Sequence, residues 1–238
     1  MMYLILRKKT VFKILILAFF FSSVAIISSH SGRFFKESGI TVIVDAGHGL
    51  PDGGAVGTDG TVEQEINLKI ALKLRDVLEA KGITVIMTRE TENGLSSLKN
   101  ASIRQMKIDD MRKRLAIMKK SDADLFLSIH INSYKTASAS GLRVFYSPKF
   151  EEIKPLAANI QERMADITGA KMSVVGAADT KLYLMKNPPL ASILLECGFL
   201  SNPEEEEKLR SEDYQARLAW AIADAVEKYY ALQQSGER

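Results

Sequence analysis

Short apolar runs alternate with amphipathic segments between residues 40 and 232, and this alternation restricts the fold more than any other feature. Residues 40–45 and 124–129 are apolar and mostly unbroken, as in strands buried on both faces. Residues 63–81 instead repeat apolar side chains at a helical period. Strands that alternate with helices favour a parallel sheet. We therefore predict an α/β fold: a single domain with a mostly parallel central sheet of about six strands, flanked by helices on both faces.

The other predicted elements continue this alternation. The segment that begins at Asn202 is a further helix, since Asn202 is a suitable cap and Pro203 is favoured at the first helical position. Helices are also expected at residues 108–120, 154–168 and 213–232, and strands at residues 84–87, 142–146, 183–184 and 192–195.

The first 31 residues have a different character. Arg7, Lys8, Lys9 and Lys13 precede an apolar run at residues 14–27, which is typical of a secretory signal or an N-terminal membrane anchor. A buried core helix is the alternative, which the basic flank disfavours. We predict a signal or anchor at residues 1–31, a linker at 32–39, the folded domain at 40–232 and a tail at 233–238.

Charge and cysteine content argue against a nucleic-acid-binding protein and against a fold held by disulfides. The formal net charge is +3, but the first 31 residues carry four basic side chains and no acidic ones, so the remainder has a charge of −1. A near-neutral body does not favour nucleic-acid binding. Cys197 is the single cysteine, so the chain has no internal disulfide.

Four polar residues are expected at one edge of the sheet. His48 follows the first predicted strand after a short glycine turn, His130 follows the strand at 124–129, and Glu196 follows the strand at 192–195. Glu63 opens the helix that returns from the first strand. The carboxyl ends of parallel strands share one edge, where α/β proteins bind ligands. Two imidazoles and two carboxylates suit a zinc hydrolase, with three metal ligands and a fourth group as general base.

Structural interpretations of the same residues stay open. A histidine after a strand is often only hydrogen-bonded, and Glu63 is also explained as a first-turn glutamate favoured by the helix dipole. Cys197 is interpreted as a small buried hydrophobe rather than a nucleophile, because no histidine is left to activate it. Glu196 is harder to explain structurally, since a carboxylate after an apolar strand needs a partner or a function.

Four ordered blocks of sequence surround these residues. The blocks are VDAGHG with DGGAVG at residues 44–57, EQEINL at 63–68, DLFLSIHIN at 124–132 and LECGFLSNPE at 195–204. They resemble the type 3 family of zinc-dependent N-acetylmuramoyl-L-alanine amidases, and the resemblance covers about residues 40 to 230. Weaker similarities include Arg89 and Arg114. Departures from the family pattern include Ala46, Leu50 and Cys197, and none of these is a presumed ligand.

The resemblance implies a reaction and a set of roles. It implies Zn²⁺ held by His48, Glu63 and His130, with Glu196 as the catalytic carboxylate, and hydrolysis of the amide between N-acetylmuramic acid and L-alanine in peptidoglycan. Residues 40–232 would then be the catalytic amidase domain. The competing functions are a zinc peptidase or another amidohydrolase, and a non-catalytic cell-wall-binding protein. Measured zinc content and the products of peptidoglycan digestion distinguish these functions.

The spacing of the blocks and the N-terminal segment are most similar to the spore-cortex, germination-specific members. That resemblance implies a step towards muramic lactam in spore cortex. It also implies an extracytoplasmic location, secreted or anchored to the membrane by residues 1–31, and a recruiting or activating protein partner. Some relatives carry a helix that blocks the site. Residues 93–110 are compatible with such a helix, although a surface loop followed by a helix start is the simpler interpretation.

Overall fold

The structure, a computed structural model, describes residues 39–236 except for Val174 and Thr180. Strands and helices alternate along most of this part of the chain. The strands are β1 (Thr41–Ala46), β2 (Thr84–Met87), β3 (Leu125–Asn132), β4 (Arg143–Tyr146), β5 (Gly176–Ala177) and β6 (Ala191–Phe199). The α-helices are α1 (Glu63–Ala80), α2 (Ile103–Lys120), α3 (Lys154–Thr168), α4 (Tyr183–Lys186), α5 (Pro203–Arg210) and α6 (Glu212–Ser235), and a 3₁₀ turn spans Glu151–Ile153.

The six strands form one mostly parallel sheet. Their order is β2-β1-β3-β6-β4-β5. Strands β2, β1, β3 and β6 are mutually parallel, β4 runs antiparallel to β6, and β5 is parallel to β4. The predicted α/β class and the mostly parallel sheet are confirmed.

Helices cover both faces of the sheet, as predicted. Alternate residues of a strand point to opposite faces. Val42 and Leu127 therefore belong to a core shared with α1, α3 and α6, whereas Ile43 and Phe126 pack with α2 and α4 on the other face. Residues near the carboxyl ends of β1, β3 and β6 continue this second set and line the site.

Two strands are longer than predicted, and this changes the position of two site residues. We expected His130 and Glu196 to follow their strands, but β3 continues to Asn132 and β6 to Phe199. The prediction ended each strand at the first ionisable side chain. A sheet accommodates such residues near its carboxyl edge, so both lie within hydrogen-bonded strands.

Two further predictions are corrected. Residues 183–184 form the start of α4 rather than a strand. The strand that completes the six-stranded sheet is instead β5, which lies earlier in the chain. A run of two apolar residues has no period that separates helix from strand. Helix α2 begins at Ile103 rather than residue 108, because Ser102 and Gln105 form a reciprocal capping box.

Among the described residues, no helix combines the length and apolar character that crossing a bilayer requires. The predicted signal or anchor at residues 1–31 and most of the predicted linker lie outside the described residues.

Candidate metal centre

Three distant residues meet at the carboxyl edge of the sheet. His48 lies in the loop after β1, Glu63 is the first residue of α1, and His130 lies in β3. Each offers one ligand atom, and these atoms all lie within 4.8 Å of one another. The Nε2 atom of His48 is 3.3 Å from Glu63 Oε2, and the Nδ1 atom of His130 is 3.0 Å from Glu63 Oε1. The structure thus brings the three predicted ligands together.

Glu63 is held by the backbone on both sides. Its Oε2 atom accepts a hydrogen bond from the Ala55 backbone at 2.8 Å, and Oε1 accepts one from Ile131 at 3.2 Å. Asn67, one helical turn later, donates to Oε1 at 3.3 Å. Burial by itself raises the pKa of Glu63, but hydrogen bonds from His130 and His48 outweigh burial and lower it well below its usual range. Glu63 is therefore a fixed carboxylate.

His48 is oriented through its other ring nitrogen. Its Nδ1 atom is 2.8 Å from Asp52 Oδ2, and Lys107 Nζ is 2.9 Å from the same oxygen. Burial lowers the pKa of His48, but hydrogen bonds to Asp52 and Glu63 outweigh burial and raise the pKa to about 9. A carboxylate on the far nitrogen of a ligand histidine fixes the ring and leaves the near nitrogen to face the metal.

Two buried arginines hold the backbone beneath His48. Arg89 donates to the carbonyls of Ala46 and Gly47 at 2.9 Å each. Arg114 donates to the Ala46 and His48 carbonyls and forms an ion pair with Asp45. His48 has a φ of 61°, which is uncommon for a residue with a side chain. The arginine contacts stabilise this conformation, which aims the imidazole at the centre.

Gly47 is needed because the ring of His130 lies directly against it. A Cβ atom at Gly47 would lie 2.4 Å from His130 Cε1 and Nε2. The two imidazole rings are 5.0 Å apart with an angle of 74° between their planes. A larger residue at position 47 would displace one of the predicted ligands.

Glu196 lies beside the centre and is in register with His130. Within the described part of the chain, its Oε2 atom is buried and has no hydrogen-bond partner. Burial is the main cause that raises the pKa of Glu196 to about 7. A buried carboxyl oxygen without a partner is costly, and such groups cluster at functional sites. This carboxyl can exchange a proton near neutral pH.

A cavity of about 370 Å³ opens beside the two histidines. The floor of the cavity is the sheet, at Ser128 and His130, and its sides come from α2 and α4. Lys107, Met111 and Tyr183 line these sides. A space of this size can accept a small molecule or a short part of a larger substrate.

These residues fit a divalent metal ion. Two imidazole nitrogens and one carboxylate oxygen, gathered in one place, are donors that such ions accept. The carboxyl of Glu196 stands beside the three donors without being needed as a fourth. The arrangement therefore suits metal-assisted hydrolysis.

Cys197 is buried, as predicted. Its side chain is fully buried, and burial raises the pKa of its thiol well above the usual range. A thiol in that environment is a poor nucleophile. Residues 93–110 form a loop and the first turns of α2, as the simpler interpretation predicts.

Several residues that support the site were not predicted from the sequence. Asn67 could have been identified, because it lies four residues after Glu63 on the same helical face. Asp52 lies within the first block, yet its contact with His48 depends on the turn between them. Arg89 and Arg114 were noted only as weaker similarities, since nothing local in the sequence connects them with His48.

Comparison with known proteins places the chain among cell-wall amidases. The model of the N-acetylmuramoyl-L-alanine amidase family matches residues 42–228. A germination-specific N-acetylmuramoyl-L-alanine amidase of Bacillus subtilis is 35% identical over 196 residues, covering 81% of each chain. The N-acetylmuramoyl-L-alanine amidase LytC of the same organism is 30% identical over 194 residues, covering 81% of this chain and 36% of the relative.

Solved structures show the same architecture. The CwlD amidase from Clostridioides difficile, in complex with the GerS lipoprotein, superposes with a TM-score of 0.78 at 38% identity. The match covers 81% of this chain and 99% of CwlD. The catalytic domain of CwlV from Bacillus (Paenibacillus) polymyxa superposes with a TM-score of 0.69 at 29% identity, covering 80% and 97%.

Proposed function

The chain belongs to the N-acetylmuramoyl-L-alanine amidase family, and we propose that it carries out the family reaction with Zn²⁺ held by His48, Glu63 and His130. The enzyme hydrolyses the amide bond between N-acetylmuramic acid and L-alanine in peptidoglycan. The observation that carries the proposed site is the convergence of three donor atoms within 4.8 Å of one another. This donor set is the one that catalytic zinc sites use, with a position left open for water or substrate.

Bound zinc would lower the pKa of a water molecule and polarise the carbonyl of the scissile amide. Glu196 accepts the proton of the attacking water. The same carboxyl then donates the proton to the nitrogen of L-alanine as the amide bond breaks. In the metal-free protein burial raises the pKa of Glu196 to about 7, which makes this carboxyl a stronger base than an exposed glutamate. The products are a muramoyl carboxylate and a peptide with a free L-alanine amine.

Asp52 and Asn67 support the chemistry without touching the reacting atoms. Asp52 holds Nδ1 of His48 and so keeps Nε2 directed at the centre. Asn67 donates both to Glu63 and to the Gly47 carbonyl, which connects α1 with the loop after β1. Both contacts fix ligand geometry before the metal binds.

The enzyme acts on cell wall and therefore outside the cytoplasm. We propose that residues 1–31 direct or anchor it there, since basic residues accompany an apolar run. A role in spore cortex, as a step towards muramic lactam, is proposed because one relative is germination-specific. A protein partner that recruits or activates the enzyme is proposed because CwlD is found with a lipoprotein.

A muropeptide digest tests both the reaction and the metal. Purified peptidoglycan incubated with the enzyme should yield peptides with N-terminal L-alanine, with glycan strands and peptide cross-links intact. A chelator should stop this release, and added Zn²⁺ should restore it. Cleavage within the peptide would instead indicate a peptidase, and wall binding without cleavage or zinc would indicate a binding protein.

Glu196→Gln tests the catalytic carboxylate. The variant should retain stoichiometric zinc but lose about 10²- to 10⁴-fold in kcat, the usual contribution of a general acid–base group. Glu162→Gln, at an exposed position of α3, is the matched control and should behave as the wild type. Retained turnover in Glu196→Gln would reject Glu196 as the base.

A further inference from the structure

Arg143 extends the row of site residues across the sheet. It is the first residue of β4 and pairs in register with Glu196, which pairs in register with His130. Directly paired residues place their side chains on the same face of a sheet. His130, Glu196 and Arg143 therefore form a row across β3, β6 and β4, with strands about 4.8 Å apart. Arg143 therefore lies one strand beyond Glu196, on the side away from His130.

The guanidinium lies beside two aromatic rings that contact each other, with ring centroids 5.2 Å apart. Its Cζ atom is 5.2 Å from the ring centroid of Tyr134 and 5.2 Å from that of Phe199. Its Nη1 atom donates to the Tyr134 hydroxyl at 2.8 Å. The cation–π contacts and this hydrogen bond restrict a side chain that is otherwise flexible. The orientation is therefore set before a ligand arrives.

The backbone around this cluster is fixed as well. Glu205 accepts hydrogen bonds from the Phe199 and Gly141 backbones at 2.8 and 2.7 Å. The Tyr134 backbone donates to Ser201 Oγ at 3.1 Å. The register between β3 and β6 shifts just after Glu196, where a bulge returns Phe199 to the face of the site. Hydrogen bonds thus connect the loop after β3, the bulge in β6 and helix α5.

Most of the hydrogen-bonding capacity of Arg143 is still available. A guanidinium has five N–H donors, and the Tyr134 hydroxyl takes one of them. Among the residues that the structure describes, no carboxylate lies within 4.0 Å of this guanidinium to form an ion pair. The residue is also partly exposed. The charge of Arg143 also acts on the neighbouring Glu196 carboxyl, but the remaining N–H donors of the guanidinium can bind a carboxylate ligand.

We propose that Arg143 determines specificity by binding a carboxylate on the peptide side of the scissile amide. This inference rests on the proposed function. The residue after L-alanine in the stem peptide is a γ-linked D-glutamate, whose α-carboxyl is either free or amidated. One residue spans about 3.5 Å, so this carboxylate lies within about 7 Å of the leaving nitrogen. The backbones of Arg143 and Glu196 are separated by one strand spacing of about 4.8 Å, so the guanidinium can reach a carboxylate at that distance.

Two soluble muropeptides that differ only at this carboxyl test the inference. One carries D-glutamate and the other D-isoglutamine. The wild type should cleave the carboxylate form with the higher kcat/KM. Arg143→Gln should lower kcat/KM for that form by about 10- to 100-fold, mainly through KM, and leave the amide form nearly unchanged. Arg143→Lys should retain part of the preference for the carboxylate form. Arg217→Gln, on α6, is the control and should have the full wild-type preference.

Several outcomes would overturn the inference. One is a wild type that cleaves both muropeptides equally well, a result that requires no variant. Another is an Arg143→Gln variant that keeps the wild-type preference. A third is an equal loss on both substrates with a shifted pH profile, which would mean that Arg143 acts through Glu196.

A binding measurement separates this inference from the proposed reaction. The two muropeptides are titrated into Glu196→Gln enzyme, with and without Arg143→Gln. A carboxylate preference that depends on Arg143 supports the inference even if the wild type releases no alanine, a result that would reject the proposed function alone. Alanine release by the wild type without such a preference rejects the inference alone.

Discussion

At the scale of single residues, the site depends on small groups that allow close approach and on polar groups that orient ligands. Gly47 leaves room for the His130 ring, and Asp52 orients His48. Neither residue is a proposed ligand. The ligand types at His48, Glu63 and His130 followed from the sequence. The supporting contacts did not, because each joins side chains whose relative orientation is set by turns.

Gly47→Ala should weaken metal binding without changing a ligand. The new methyl group would meet the His130 ring at 2.4 Å, so the ring or the loop must move. We expect metal affinity to fall by about 10- to 100-fold, as for the loss of an orienting contact. Zinc titration against a competing chelator measures this affinity.

Gly176→Ala is the matched control for that variant. A methyl group there meets Phe145 at an ordinary 3.6 Å, so its zinc affinity should equal that of the wild type. An unchanged affinity in Gly47→Ala would show that the contact between Gly47 and His130 does not set the ligand geometry.

At the scale of elements, the loop before Glu63 is held by a carboxylate from a distant helix. Glu206 of α5 is fully buried and accepts hydrogen bonds from the Thr58 hydroxyl and from the Asp59 and Thr61 backbones. The loop ends two residues before Glu63 opens α1. Helix α5 was predicted from its Asn202 cap and Pro203, but its contact with this loop was not.

Glu206→Gln should destabilise the protein in a pH-dependent way. Burial raises the pKa of Glu206, but hydrogen bonds from Thr61, Thr58 and Asp59 outweigh burial and lower the pKa to about 2, from an ordinary value of 4.5. A lowered pKa in the folded state adds stability above about pH 4.5, and this stability is lost as the pH falls towards 2. We expect Glu206→Gln to cost about 1–3 kcal/mol at pH 7.

Urea unfolding at several pH values measures this effect. The difference in free energy of unfolding between Glu206→Gln and the wild type should narrow as the pH falls below about 4.5. Glu207→Gln, at the exposed neighbouring position, should have the same free energy of unfolding as the wild type at each pH. A pH-independent cost would mean that the ionised carboxylate is not the source of the stability.

At the scale of the whole molecule, the proposed metal ion would connect parts of the fold that are distant in sequence. Its ligands come from the loop after β1, from α1 and from β3. Arg114, fully buried on α2, adds a second connection through its ion pairs with Asp45 and Asp110. Ligand binding to the folded state alone stabilises a protein by mass action.

Metal removal should therefore lower the melting temperature. At a free zinc concentration about 100 times the Kd, binding contributes about 2.7 kcal/mol, which corresponds to roughly 5–10 °C for a chain of this size. Differential scanning calorimetry with and without a chelator measures this shift. His130→Ala, which lacks a ligand, should respond little to the chelator. An equal shift in both proteins would place the stabilising metal elsewhere.

The sequence by itself determined the fold class and the residues that carry the proposed chemistry. Apolar periodicity is a local property, so the α/β alternation and helix α3 over Lys154–Thr168 could be predicted from neighbouring residues. The blocks around His48, Glu63, His130 and Glu196 identified the family in the same way. The local pattern did not predict the structure of a short apolar run, as at residues 183–184. It also did not predict the ends of β3 and β6, which continue through polar residues.

Only the tertiary structure decided which distant residues meet. Arg114 lies 69 positions from its partner Asp45, and Arg143 is opposite Glu196 because β4 runs antiparallel to β6. A one-residue change of register would turn every side chain of β4 to the other face. Pairing and register follow from packing of the whole sheet, so no local stretch of sequence contains them.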